Sequence, residues 1–375
     1  MLVYLPLIFE IVLYMFLSAT FIQLLYYTLI FSRIIFSKNK KITDKKEPVS
    51  VIICARNEAE NLINFLPTIL EQKYPDFEVI VVNDSSRDDT KTILAQFQNK
   101  YKNLYFTNID REENYLTGKK LALTVGIKAA KNEILLFTDA DCIIDSEFWI
   151  ENMQSKFTEN IDIVLGYGGY SKVKGFLNRI IRYDTLFVAI QYFNLALIRQ
   201  PYMGVGRNMA YRKSLFFKNK GFASHLTLQS GDDDLFVNQN ADKKNTAIIT
   251  EKNSFTHSKP KIKFKHWIIQ KKRHFSTFKH YKFKHKFLLG FELFSRILFY
   301  ISFILLISTN NYFIFVLSAF LLRQFIYLIV ISQTSKKLNE QGLVILGMFF
   351  DFIFPTLNFM IYLSNIFSRS KIKWK

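Results

Sequence analysis

Two aspartates one residue apart, Asp139 and Asp141, close the segment Ile134-Leu-Leu-Phe-Thr-Asp-Ala-Asp-Cys142. Carboxylates at that spacing can hold a hard divalent cation, and such a cation can hold a diphosphate. An isolated Asp-x-Asp is also an ordinary solvated turn, so its meaning depends on its company. Three consecutive acids, Asp232, Asp233 and Asp234, stand in Ser230-Gly-Asp-Asp-Asp-Leu235. One of them in an apolar-walled cleft would have a raised pKa, as a general base for a hydroxyl needs. The spacing leaves open which of the three it would be. Asp84 ends the run Val81-Val-Asn-Asp84, a place suited to hydrogen bonds with a base or ribose. Ala55, Asn57 and Glu58 close the block that begins at Val49, where a turn can present N–H groups and polar side chains to a nucleotide. A plain helix cap uses the same residue types. Lys119, after Gly118, suits a phosphate, but the glycine pattern of a P-loop is missing and a nucleoside triphosphatase is rejected. Gln270, Arg273 and His274 share one helical turn that can close over a diphosphate, with Arg273 giving planar donors. The same turn would also suit a basic helix on lipid.

The elements that must position these residues follow from periodicity. Short apolar runs predict strands at Val49–Cys54, Phe77–Val82, Leu104–Thr107 and Ile134–Phe137. Between them, helical spacing covers Glu58–Gln72, Thr90–Gln98 and Lys119–Ala130. Strand and helix alternating in this way predict a parallel sheet with right-handed crossovers. Such a sheet binds its ligands at the carboxyl ends of its strands, where Asp84 and Asp139 stand.

Around this α/β region, roughly residues 48–250, the composition changes. Half of the chain is hydrophobic and 39 residues are Phe, yet the formal charge is +19. That combination points to a membrane protein with a positive cytoplasmic face, and no basic-aromatic nucleic-acid motif is present. Residues 1–32 predict a transmembrane helix, followed by Lys38, Lys40, Lys41, Lys45 and Lys46. Residues 287–367 predict further membrane segments, with Asn310 and Asn311 in a tight hairpin and Arg323 facing the protein. Asp351 and Pro355 interrupt the last of them. A broken or re-entrant segment there would keep the basic tail, residues 368–375, cytoplasmic. Residues 176–199 predict an amphipathic helix on the membrane surface, with an ordinary core-facing helix as the rival. Residues 251–286 mix Lys and His with aromatics, as an interfacial segment against anionic lipid does. Two cysteines, Cys54 and Cys142, give no disulfide framework and are compatible with a reducing cytosol.

Taken together, these blocks resemble the family 2 glycosyltransferases of the membrane-bound, bacterial type. Thr138-Asp-Ala-Asp141 looks like the family's Asp-x-Asp motif, and Ser230–Leu235 like its acceptor-side acidic motif. Gln270-Lys-Lys-Arg-His274 is similar to the Gln-x-x-Arg-Trp motif of polysaccharide-making members, with His274 in place of Trp. The resemblance implies the α/β GT-A fold, the Rossmann-like fold of nucleotide-diphospho-sugar transferases, with flanking transmembrane helices. It implies an inverting transferase that moves a sugar from a UDP-sugar to a lipid-linked or glycan acceptor at the cell membrane. Asp139 and Asp141 would hold Mg²⁺ or Mn²⁺. Ala55, Asn57, Glu58, Asp84, Lys119, Asp139, Gln270 and Arg273 would hold the donor, and one of Asp232, Asp233 and Asp234 would be the base, Asp233 being the first choice and Asp232 the second. A processive polysaccharide synthase and an inactive membrane-anchored binding module are the alternatives.

Overall fold

The computed structural model describes residues 5–38, 43–110, 118–308 and 312–367. Lys40, Lys41, Asn310, Asn311 and the basic tail lie outside the described residues. The chain divides into two compact units, Lys38–Tyr281 and the pair of segments Met1–Ser37 and Lys282–Ser368.

The first unit is α/β. Its strands are β1 Val49–Ala55, β2 Phe77–Asp84, β3 Leu104–Ile109, β4 Ile134–Asp139, β5 Cys142–Ile143, β6 Ile163–Leu165, β7 Gly168–Tyr170, β8 Met209–Arg212, β9 Thr246–Ile248 and β10 Thr256–Ser258. Seven of them form one sheet in the order β3-β2-β1-β4-β8-β6-β9. β1 to β4 are mutually parallel, and β8 joins β4 antiparallel. Every residue of β1 is buried, as a parallel strand covered on both faces requires. Val51 and Ile53 pack with Leu62 and Leu66 of the following helix and with Trp149 and Met153. Each such buried aliphatic side chain contributes about 1.5–3 kcal/mol over exposure.

The strand order carries the functional consequence. The chain builds outward from β1 to β2 to β3, then returns through the Lys119–Ala129 helix to lay β4 on the other side of β1. The order therefore reverses between β1 and β4, which is where open α/β sheets bind ligands. Cys54 pairs with Asp139 in the ladder, so β4 runs through its first aspartate rather than stopping at Phe137. A small sheet, β5-β10-β7, lies next in sequence to the aspartates, and its Cys142 thiol sits 3.2 Å from the Ser258 hydroxyl.

The helix Phe176–Leu197 corrects the expectation of a surface-lying segment. It buries Ile181, Tyr183, Leu186, Ile190, Tyr192 and Phe193, together with the polar Asn178, Arg182, Asp184 and Asn194. Burial of both kinds around the helix suits a core element, and Asp184 is paired with Lys271 at 2.6 Å.

The second unit holds four helices long and apolar enough to cross a membrane, with spans Leu7–Phe36, Phe283–Ile307, Phe313–Lys337 and Val344–Asn365. The protein is thus a membrane protein. The first span passes through a π-helical turn, Tyr26–Phe31. The last is one unbroken helix, Val344–Phe367, with Pro355 inside it, where the sequence pointed to a break. Its Asp351 is fully buried and meets Arg296 at 3.2 Å, the Tyr300 hydroxyl at 2.5 Å, and Arg323. Arg296 also pairs with Glu292 at 2.9 Å, and Arg323 donates to Gln23 at 2.7 Å. Two guanidinium groups and two carboxylates thereby balance, and all four helices contribute.

Removing one partner of a buried pair strands the other charge, while removing both as apolar residues is close to neutral. Asp351→Leu is expected to lower the detergent-solubilised protein's stability by about 3–5 kcal/mol. The double variant Arg323→Met/Asp351→Leu should recover most of that loss. Thermal unfolding of the two variants side by side measures the difference.

Candidate active site

The site is built where β1, β2 and β4 end together. Ala55 closes β1 opposite Asn83, Asp84 closes β2, and Asp139 closes β4. The Ala55 side chain is fully buried, so it can offer only its backbone. Asp84 is fully buried at its strand end. Asn57 takes a left-handed turn with φ 55°, a conformation that Asn tolerates. Its N–H donates to the Ser86 hydroxyl at 2.9 Å, and its side-chain oxygen accepts from the Arg87 N–H at 2.8 Å. Asn57 therefore stitches two loops together. Glu58 accepts from the Asn61 amide at 2.6 Å. Burial pushes the Glu58 carboxyl up; the bond from Asn61 opposes that, and the charges of Asp141 and Asp139 add to it.

Lys119 stands at the centre. Its ammonium lies 2.6 Å from Asp139 and 3.3 Å from Asp232, so one cation joins the two acidic blocks. Burial raises the Asp139 carboxyl, but Lys119 outweighs it and holds the group below its ordinary value. Among the described residues Asp141 has no such ion pair, and burial together with the Asp139 charge pushes it up. Ligand atoms of Asp139, Asp141 and Cys142 lie within 4.8 Å of one another. The two carboxylates fit a hard divalent cation. The Cys142 thiol does not. Burial, then Asp141, push its pKa up to about 12, so it stays protonated beside Ser258.

The structure separates the three consecutive acids. Asp234 is buried and saturated. It accepts from the Leu235 N–H at 2.7 Å, from the Tyr281 hydroxyl at 2.7 Å and from the Thr277 hydroxyl. It ties its helix to the segment after Gln270 and is no candidate base. Asp233 caps the helix Asp234–Asn240, taking the Asp234 N–H at 2.8 Å on one oxygen and the Gly206 N–H at 2.8 Å on the other. Asp232 meets only Lys119 among the described residues. Lys119, Phe137, Gly206, Tyr211, Asp232 and Asp233 line one cleft. The neighbouring Lys120 does a different task. Its ammonium donates to the carbonyls of His225, Leu228 and Ser230 at 2.6–2.9 Å and so fixes the loop that delivers the acids.

The helix Phe264–Phe275 presents Gln270 to the Tyr170 hydroxyl at 2.9 Å, not to open solvent. Arg273 is partly buried on the next turn, and His274 is exposed at its end. Arg207, which no sequence motif singled out, lies against this group. It precedes β8 in a loop without periodicity, between Gly206 and Asn208, and no spacing marked it.

The pKa of Asp234 is raised from 3.8 to about 7 by burial and by the Asp233 charge, against the bonds from Thr277 and Tyr281. The folded state thus holds a proton that the unfolded chain has lost, and the stability from this group falls as pH rises from about 4 to about 7. Asp234→Asn should flatten that decline in a pH series of thermal melts. It should also cost about 1–3 kcal/mol at low pH through lost hydrogen bonding.

Comparisons with known proteins fit this geometry. The model of the Glycosyl transferase family 2 domain matches residues 50–218. A poly-beta-1,6-N-acetyl-D-glucosamine synthase of Staphylococcus epidermidis is 35% identical over 117 residues, 31% of this chain and 27% of that protein. Glycosyltransferase AglE of Haloferax volcanii is 37% identical over 121 residues, 32% of this chain and 38% of the relative. The matched stretch thus spans well under half of these relatives' own lengths. Among solved structures, the mannosyltransferase PcManGT of Pyrobaculum calidifontis, in complex with GDP-Man and Mn²⁺, superimposes with a TM-score of 0.58 at 17% identity. That likeness covers 92% of this chain and 99% of PcManGT. At that identity it speaks for the fold.

Proposed function

We propose that the chain, whose residues 50–218 match the Glycosyl transferase family 2 model and whose fold is that of GT-A enzymes, is an inverting family 2 transferase moving a sugar from a UDP-sugar to a membrane-proximal acceptor hydroxyl. The observation that carries this reading is Lys119, shared at 2.6 and 3.3 Å by a donor-side acid and an acceptor-side acid. Two acidic blocks held by one ammonium lie within reach of a single substrate.

In this reading Asp139 and Asp141 hold a divalent cation, Mg²⁺ or Mn²⁺. Bound there, it would neutralise charge growing on the departing diphosphate. Asp84 and Glu58, with backbone groups near Ala55, hold the nucleoside. Asp232 takes the proton from the acceptor hydroxyl. The acceptor oxygen forms its bond to the anomeric carbon as the bond to the diphosphate oxygen breaks on the opposite face. The nucleoside diphosphate leaves with that electron pair, and the centre inverts, as with the base of inverting glycosidases. Asp232 is preferred over Asp233 because both Asp233 oxygens already accept backbone N–H groups. Asp233 then holds the loop, and Lys119 balances charge as it moves between the acidic blocks.

The acceptor is a lipid-linked sugar or a growing glycan of the cell envelope. The chain enters and leaves the catalytic unit through apolar helices, which favours a substrate confined to the bilayer surface. Lys38, Lys45 and Lys46 follow the first span, and Lys282, Lys284 and Lys286 mark the start of the second. By the positive-inside rule these lysines support a cytoplasmic catalytic unit on a multi-pass protein of the cell membrane. The similarity to a staphylococcal poly-beta-1,6-N-acetyl-D-glucosamine synthase favours one second reading, a processive polysaccharide synthase. A ladder of products on a gel would support it, and a single addition would exclude it.

Purified protein in detergent, screened against UDP- and GDP-sugars, should show turnover that chelation abolishes and Mg²⁺ or Mn²⁺ restores. Metal-supported binding without turnover of any sugar would instead favour an inactive binding module. Asp141→Asn should reduce turnover far more than it reduces metal-free nucleotide binding. Asp232→Asn is expected to slow transfer by about 10²–10⁴-fold with donor binding retained. Near-normal rates in that variant, with the loss in Asp233→Asn instead, would return the base to Asp233.

A further inference from the structure

Arg207 is fixed more firmly than a surface arginine. Its stem lies across Gly168 of β7, where a Cβ would stand 2.6 Å from Arg207 Cγ and 2.7 Å from its Nε. Position 168 has no room for a side chain because the arginine occupies it. Arg207 Nε donates to the Gly168 carbonyl at 2.9 Å. Its guanidinium carbon stands 4.3 Å over the Tyr170 ring, within cation–π range. The hydroxyl of that same ring accepts the Gln270 amide at 2.9 Å. Nε is thus engaged and a side-chain hydrogen bond ties the group to Tyr170, which together spend only part of the five-donor fork. The charge of this group acts on both Asp139 and Asp141. A cation held beside two acids, with donors of its fork still to spend, matches the oxygens of a phosphate group in shape and charge.

We propose that Arg207 is a preset clamp for the donor's diphosphate, and that Gln270 serves it as a positioning residue through Tyr170. The proposal deepens the transferase reading and rests on it. It gives the Gln-x-x-Arg run a different task from the direct diphosphate contact that the sequence suggested for Gln270. The amide holds the ring, the ring holds the guanidinium, and the guanidinium meets the phosphate. Gly168 belongs to the same device as the floor that lets the arginine lie flat.

The test uses the full-length protein in detergent with Mn²⁺, titrated with UDP and GDP and with the corresponding nucleosides. Arg207→Ala should weaken diphosphate binding by ~10- to 100-fold, the range for hydrogen bonds to charged groups, and leave nucleoside binding unchanged. Arg207→Lys keeps the charge without the fork and should recover only part of the loss. Gln270→Ala should raise the donor KM in the wild-type background and add nothing further in the Arg207→Ala background. If Arg207→Ala fails to fold, the Lys variant and Gln270→Ala decide the matter by the same titrations. Wild-type diphosphate affinity in the Arg207 variants, or additive effects of the two residues, would overturn the clamp alone. A wild-type protein that bound neither diphosphate would overturn the transferase reading as well.

Discussion

Acidic side chains crowd the carboxyl ends of a buried sheet here, and Lys119 is what lets them do so. A parallel sheet places its strand ends side by side, and in this chain Asp84 and Asp139 both occupy such ends. Asp141 and Glu58 add to the negative charge, and both are pushed toward protonation, by burial first and then by that charge. Without a cation the cluster would be hard to fold in its charged form. Lys119 is the first residue of the helix that leads into β4. The crossover that places β4 beside β1 therefore delivers the balancing charge with it. Fold and electrostatics have one origin in that connection.

Support for the acidic loop is divided among residues that look alike in sequence. Lys119 and Lys120 are adjacent, yet one faces the carboxylates and the other is spent on three carbonyls. Asp232, Asp233 and Asp234 are adjacent as well. Successive positions at a helix start point in different directions, so one meets the lysine, one caps the helix and one is buried against Tyr281 and Thr277. The division is what a precise site requires. A charged group is aimed by neighbours whose own hydrogen bonds are complete.

Much of this was legible in the residues themselves. The four parallel strands announced themselves as apolar runs, because a strand buried on both faces needs no polar alternation. The aspartates at their ends followed from those runs. Periodicity said less about Phe176–Leu197, since a core helix with buried Asn, Arg and Asp has the same mixed composition as an interfacial one. The last apolar helix looked interrupted because Asp351 and Pro355 are costly in a bilayer. Partners for Asp351 on other helices remove that cost, and those partners are distant in sequence. Arg207 was hidden for a similar reason. Its importance lies in Gly168 and Tyr170, nearly forty residues earlier, and in Gln270, over sixty residues later.

The charge-balanced centre of the helical unit also has a meaning in time. Glu292 and Arg296 are one turn apart and can neutralise each other as soon as their helix exists. Arg323 has no such neighbour on its own helix; its carboxylate, Asp351, is made by the ribosome 28 residues later. Before Asp351 is made, Arg323 can find only neutral partners such as Gln23 and Tyr300, and its charge is compensated when the fourth span arrives. The bundle's charges are balanced only when the helix that carries Asp351 joins the other three.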